Sequence, residues 1–308
     1  MTKSEKQNKK SQQQAEALHF FRQTADQRHQ MATGQNPQTV NVIEQRNACV
    51  KKICLNLKNV RNILDIGCGT GDLILDFAKS GINSTGIDFA NEMIDFCNHQ
   101  KQELSLDLAN FHHVSVFDFA PADHSYDIIS ALGFIEYLNP KELTLFLDLT
   151  SRWLRPDGML VLGSRNRLFN LFSLNRFTSL ELEAGTTHTL LEEAVQIATC
   201  DAANLSFDKL ATASSNLNTT QNHPFTGIDV STRHQYAPGQ LATILYKAGY
   251  TPKSIYPVNF HAFPPTIIPK TADLHVSIAN AAFNELSDNF ATIPLSSTFI
   301  MAACRNPN

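Results

Sequence analysis

From residue 60 the chain alternates short apolar runs with longer stretches whose apolar residues recur every three or four positions. Val60, Ile63, Leu64 and Ile66 make an apolar run of the kind a strand covered on both faces requires. Leu73, Ile74, Phe77 and Ala78 follow at helical spacing and predict a helix over 72–79, ended by Ser80-Gly81. The alternation then repeats. A strand is expected over 82–88, and Asn91 is placed to cap a helix that turns Met93, Ile94, Phe96 and Cys97 inward. Strands over 111–117 and 126–132 come next. Asn139-Pro140 starts a helix by the cap-then-proline rule, burying Leu143, Phe146, Leu147, Leu149 and Leu154. Arg155-Pro156-Asp157-Gly158 is a turn, and 159–164 a fifth strand. Strands alternating with helices predict an α/β fold, a largely parallel sheet with helices on both faces.

The flanks follow other patterns. Leu18, Phe21 and Ala25 share one face of a helix expected over 15–33, which Asn36-Pro37 breaks. A second helix over 38–57 buries Val40, Ile43, Ala48, Val50, Ile53, Cys54 and Leu57. Together, 15–57 read as an N-terminal helical arm before a core over 58–164. Past residue 165 the alternation stops. Leu168, Phe169, Leu171, Phe172 and Leu174 crowd together, 190–203 has helical spacing, and 206–223 is rich in Ser, Thr and Asn. We read 165–233 as a mostly helical lid over the carboxyl edge of the sheet, where open α/β sheets bind ligands. Residues 234–308 complete the core, with a helix over 240–248 stopped by Gly249 and a strand over 254–260. A further helix over 272–288 and a seventh strand over 297–304 close it.

Composition changes this picture little. The 308 residues are 43% hydrophobic and 18% charged, as in a globular protein. Residues 1–14 hold little that can be buried and read as a disordered tail. A net charge of −4 makes no electrostatic case for a nucleic-acid partner. Six scattered cysteines without a C-x-x-C motif read as reduced thiols, and no metal site is expected. There is no apolar run near the roughly 18 residues of a membrane span. The N-terminus has lysines but no apolar signal region, so the cytoplasm is the expected compartment.

The chemistry gathers at 63–73. A strand runs into a turn with Gly67, Gly69 and Gly71 at alternate positions, and a helix leaves it. Such a turn lets backbone approach a ligand and aims helix N–H groups into the loop. A dinucleotide site wants its third glycine where this chain has Asp72, a carboxylate that would repel a pyrophosphate, and no Gly-Lys-Ser/Thr follows. Asp65 and Asp72 instead suit a ligand with a cationic or hydrogen-bond-donating end. Asp88, 21 residues after Gly67, ends the next strand where an acid can accept from both ribose hydroxyls.

Leu64-Asp65-Ile66-Gly67-Cys68-Gly69-Thr70-Gly71 with Gly86-Ile87-Asp88 resembles the class I S-adenosylmethionine-dependent methyltransferases. The resemblance implies a Rossmann-like, seven-stranded methyltransferase sheet and S-adenosylmethionine as cofactor. It assigns the cofactor to Asp65, Gly67, Cys68, Gly69 and Gly71 in the turn, to Asp88, Phe89 and Met93 beyond the second strand, and to Leu132. It also gives Asp118 the adenine amino group and Phe119 a backbone N–H to the ring. In members with an N-terminal arm, the arm packs beside the cofactor and can close over it.

Members acting on small quinones and phenols often carry Glu-His after strand four, whereas this chain has Glu136-Tyr137. Enzymes of exocyclic base amines carry Asn/Asp-Pro-Pro-Tyr/Phe there; this chain has Ala131-Leu132-Gly133-Phe134 and nowhere a Pro-Cys. The expected acceptor is therefore a small, partly hydrophobic molecule, methylated on oxygen before nitrogen or carbon. Methylation of a protein or RNA, or a scaffold that binds the cofactor without turnover, is the alternative. A nicotinamide dehydrogenase is disfavoured by Asp72. His234 and His261 are the candidate bases, with His188 third. Tyr137 and Tyr236 could orient the acceptor. Arg165 and Arg167 could hold an acidic group on it, or else bridge to the lid. The 168–174 cluster could equally be lid core or a dimer contact.

Overall fold

The computed structural model describes residues 39–200, 205–214, 216–217 and 233–306, with Ala15, Glu16 and His19 as isolated positions. The tail expected over 1–14, nearly all of the helix expected over 15–33, and much of 206–223 lie outside the described residues. The first described helix, α1 (Val42–Leu55), starts later than its apolar pattern, because the Asn41 side chain accepts from Glu44 N–H and caps it. β1 (Asn62–Ile66), α2 (Asp72–Lys79), β2 (Asn83–Asp88), α3 (Asn91–Glu103), β3 (Ala109–His113) and β4 (Tyr126–Leu132) follow. Then come α4 (Pro140–Trp153) and β5 (Leu154–Arg165). The insertion holds α5 (Arg176–Glu183), α6 (Thr187–Ala198) and α7 (Phe207–Ala213). α8 (Pro238–Lys247), β6 (Tyr250–Phe260), α9 (Ala272–Leu286) and β7 (Ser296–Arg305) close the chain.

The seven strands form one sheet in the order β3-β2-β1-β4-β5-β7-β6. β1 to β5 pair in parallel, and β7 runs antiparallel between β5 and β6. Side-chain alternation sorts the strands into two cores. Leu64, Ile66, Ile129, Ala131, Leu160, Leu162, Phe299 and Met301 face α4, α6, α7 and α8. Ile63, Ile128, Val161, Ile300 and Ala302 face α1, α2 and α3. Each fully buried aliphatic side chain stabilises the sheet by roughly 1.5–3 kcal/mol. The order in which strands join the sheet switches sides between β1 and β4, so a crevice opens beyond their carboxyl ends.

Several expected boundaries move, each for a local reason. β3 stops at His113, not 117, because β2 ends at Asp88 and offers nothing further to pair with. Asn91 does not cap α3; its amide bonds Asp95, and Ala90 occupies the cap position. The turn Arg155–Gly158 does not precede β5 but bulges from it: Tyr126 pairs with Leu154 and Ile128 with Met159. Asp157 takes φ 64° in the bulge, and Arg155 is tied to Asp127 at 2.8 Å. β6 begins at Tyr250, ahead of the expected 254, through a register shift at Pro252.

The insertion is helical, as expected, but its helices differ. α6 starts at Thr187, and α5 precedes it through a reciprocal cap between Asn175 and Thr178. The insertion is anchored by buried charge. Arg167 donates to Glu181 through Nε at 2.9 Å and Nη2 at 2.8 Å, and Asn170 and Thr186 also donate to that carboxylate. Of the two roles considered for Arg167, the salt bridge is the one observed. On α6, Glu193 accepts from Gly239 N–H of α8 at 2.7 Å and from the Ser214 hydroxyl. Cys49, Cys54 and Cys97 are buried thiols, while Cys68, Cys200 and Cys304 are half-buried. Among the described residues no helix is long and apolar enough to cross a membrane.

Candidate active site

The glycine turn is held by backbone bonds. Gly67 and Cys68 N–H donate to Ile87 O at 2.9 and 3.1 Å, and Gly71 N–H donates to Cys68 O at 2.9 Å. Asp88 is gripped from behind: Oδ2 accepts from Gly69 N–H at 3.1 Å and Oδ1 from Ala90 N–H at 2.9 Å. Asp65 lies beneath the turn, where Ser130 Oγ donates to it at 2.6 Å. Burial pushes its carboxyl up to about 7 against that bond, and the Asp88 charge adds to the rise.

A cavity of about 1020 Å³, counted to its open mouth, fills the crevice. Gly67, Gly69, Asp88, Phe89 and Met93 form one wall, Val114 to Phe117 a second, and Leu132 to Phe134 a third. The inner end carries charge: Arg46 from α1, Glu136, Tyr137 and Arg233. Arg46 Nη1 lies 2.6 Å from where a Cβ on Gly133 would stand, so a side chain there would push the guanidinium aside. The neighbouring Gln45 secures α1, accepting from Asn259 N–H at 2.9 Å and donating to Asn280 at 3.3 Å. Arg233 donates to both oxygens of Glu136, at 2.9 and 2.8 Å, and stands over the Tyr137 ring at 5.4 Å. Burial would raise the Glu136 carboxyl, but Arg233, Arg165 and Arg46 hold it below the usual range.

The sequence profile of the family described as "Methyltransferase domain" matches residues 63–158, the stretch that builds three of these walls. Residues 63–158 thus carry a methyltransferase domain. The ubiquinone biosynthesis O-methyltransferase of Actinobacillus pleuropneumoniae serotype 7 is 29% identical over 156 residues, covering 47% of this chain and 65% of that protein. The chain thus spans less than two thirds of the curated relatives it matches. The magnesium protoporphyrin IX methyltransferase of Synechocystis PCC 6803, solved with bound S-adenosylhomocysteine, superposes with a TM-score of 0.55 at 13% identity, over 96% of this chain and 100% of that one. The 1,6-didemethyltoxoflavin-N1-methyltransferase of Burkholderia thailandensis gives 0.54 at 13%, over 96% and 89%. These two likenesses establish the fold.

In this methyltransferase domain Gly67, Gly69, Asp88, Phe89, Met93 and Leu132, named for the cofactor from the sequence, lie together on the cavity wall. Other expected residues stand behind it. Gly71 backs onto Cys97 and Phe111, and Cys68 is turned toward Gly86. Asp118 and Phe119 fall outside the cavity, a consequence of the early end of β3. Both of their N–H groups are already donated to Ser115 O, at 2.9 and 3.0 Å. Phe119 packs edge-on against Trp153 at 5.6 Å instead. Ser115, Val116 and Phe117 take the wall position that the sequence had given to those two.

The acceptor-side candidates also part company. His188 is solvent-exposed on α6 beside Glu192, away from the cavity. His234 is buried with its main-chain N–H on Glu136 O at 2.8 Å; neither ring nitrogen has a hydrogen-bond partner, and burial lowers its pKa. Tyr236 is buried beside it, the rings 6.2 Å apart, with its N–H on Arg165 O. His261 stacks on Phe169 at 4.5 Å with both ring nitrogens buried and unpartnered. Burial, His275 and Arg165 push its pKa down to about 3. None of these four lines the cavity, whereas Tyr137 does. Arg46, Glu136 and Arg233 are the residues that sequence reasoning missed. A cue for Arg46 was the polar run Gln45-Arg46-Asn47 interrupting an otherwise apolar helix face; nothing adjacent in sequence marked the Glu136–Arg233 pair.

Proposed function

We propose that this chain transfers a methyl group from S-adenosylmethionine to an oxygen of a small, partly apolar acceptor. The observation that carries this reading is Asp88, fixed by Gly69 and Ala90 N–H at the end of β2 with its carboxylate on the cavity wall. The wall fits the cofactor along its length. Asp88 would take the ribose hydroxyls, Ser115 to Phe117 the adenine, and Arg46 the carboxylate of the methionyl end. The bare Gly69 backbone would admit the sugar, since a Cβ there meets nothing within 4 Å. Bound S-adenosylmethionine supplies an activated methyl on a sulfonium, and the protein's task is position and dryness.

Phe134, Tyr137 and Leu138 would face an apolar acceptor beside the methyl. In this reading the insertion over 165–233 serves as the lid and 15–57 as the arm. His261, which stands behind the cavity wall, is the proposed base; burial and Arg165 keep its ring neutral but make that base a weak one. His234, wedged between Glu136 and Tyr236, serves as the alternative base. The name of the Actinobacillus relative, an O-methyltransferase of ubiquinone biosynthesis, supports oxygen as the atom methylated.

Calorimetric titration with S-adenosylmethionine and S-adenosylhomocysteine tests the cofactor. Micromolar binding is expected, weakened at least tenfold, roughly 1.4 kcal/mol, in Asp88→Ala. Phenolic acceptors should then yield S-adenosylhomocysteine. Binding without any such product across the panel would favour a scaffold, and no binding would remove the reading altogether.

A further inference from the structure

Arg165 ends β5 just behind the charged inner end of the cavity. Its Nε is buried without a hydrogen-bond partner, although the residue keeps some exposure. Among the described residues no carboxylate forms a salt bridge with it. The nearest acid, Glu136, is already engaged at both oxygens by Arg233. Near enough to feel the Arg165 charge, His261 has two more buried ring nitrogens without partners, stacked on Phe169 and 5.3 Å from the His275 ring. Burial and the repulsion of Arg233 lower the Arg165 guanidinium to about 9, with Glu136 only partly offsetting them. A half-buried guanidinium whose Nε has no partner, near a satisfied ion pair and a neutral imidazole, is short of one negative charge. A planar oxyanion matches its donor fork, whereas Arg233 already commits its Nε–Nη2 edge to Glu136.

We propose that the methyl acceptor carries an oxyanion, a carboxylate or a phosphate, seated on Arg165 between the Arg233–Glu136 pair and the His261 ring. This rests on the methyl-transfer reading and adds the acceptor's charge class to it. Arg165 is thus a specificity residue: it selects anionic acceptors over neutral ones of the same shape. The seated anion also faces His261, whose protonated form it stabilises as the acceptor gives up its proton.

The test is calorimetry on the full chain, with and without saturating S-adenosylhomocysteine, using benzoate, phenyl phosphate and the neutral isostere benzamide. At least one anion should bind tenfold or more tighter than benzamide, and which one does so separates carboxylate from phosphate. Arg165→Gln should abolish that preference and Arg165→Lys keep part of it, with S-adenosylhomocysteine affinity within about twofold of wild type and an unchanged melting curve. Equal behaviour of all three probes on the wild type, absence of binding included, overturns the proposal. So does an Arg165→Gln variant that folds but loses S-adenosylhomocysteine, since the charge would then serve the cofactor. Failure of the wild type to bind S-adenosylhomocysteine refutes the methyl-transfer reading instead, and the anion arms run without it still decide Arg165.

Discussion

At Gly71 a Cβ would stand 2.7 Å from Cys97 Sγ and 2.8 Å from the Phe111 ring, while at Gly69 it would meet nothing within 4 Å. Both residues take positive φ, 76° and 53°. The sequence treats them alike, as members of one alternating triplet, but their surroundings separate them. Gly71→Ala should lower stability by about 2–4 kcal/mol, from overpacking and a left-handed backbone together. Gly69→Ala should cost only about 1 kcal/mol of stability, yet weaken S-adenosylhomocysteine binding tenfold or more by placing a methyl on the cavity wall. Urea denaturation beside calorimetric titration of both variants checks the split. Equal losses of stability would mean that the turn is governed by strain alone. Asp65 and Asp88 divide in the same way: one acid is buried beneath the turn and the other lines the cavity.

The elements that carry the insertion are joined through buried carboxyls with opposite pH signatures. Glu181 is held below the usual carboxylate range: burial opposes this, but Arg167, Thr186 and Asn170 outweigh it. Glu193, accepting from Ser214 and from Gly239 N–H, is pushed up from 4.5 to about 7 because burial outweighs those two bonds. A raised carboxyl binds its proton more tightly in the folded chain. Its stabilisation is complete below about pH 4.5 and lost as pH rises through 7, a swing of about 3 kcal/mol. Glu193→Gln keeps an acceptor for Gly239 N–H and has no charge to bury. The variant should therefore melt higher than wild type at pH 8 and show a flatter dependence of melting temperature on pH between 5 and 8. Parallel curves for the two proteins would show that Glu193 does not titrate in this window. Such docking was illegible in the chain, since 46 residues separate Glu193 from Gly239 and no local pattern links them.

For the molecule as a whole, β7 is the strand on which closure depends, because it pairs with β5 on one side and β6 on the other. A chain stopped after Leu295 would leave β5 with an open edge and detach β6, exposing the core that Phe299 and Met301 cover on one layer and Ile300 and Ala302 on the other. It should be recovered only as aggregate, and a soluble, cooperatively melting product would mean that the parallel half folds without closure. The alternation of apolar runs determined, without further help, the α/β class, the strands and most of the helices. It did so because periods of two and of three to four residues are local properties of the backbone. The glycine triplet and Asp88 determined the cofactor wall for a similar reason: a strand, a turn and the next strand's end are close in sequence and in space. The register at which β3 loses its partner was decided only in three dimensions, and with it the displacement of Asp118 and Phe119 by Ser115 to Phe117. So was the inner end of the cavity, where Arg46, Glu136 and Arg233 arrive from an N-terminal helix, a loop and the far side of the insertion, with Arg165 behind them at a strand end. Charges balance through space rather than along the chain, and no spacing rule could announce that these four would meet.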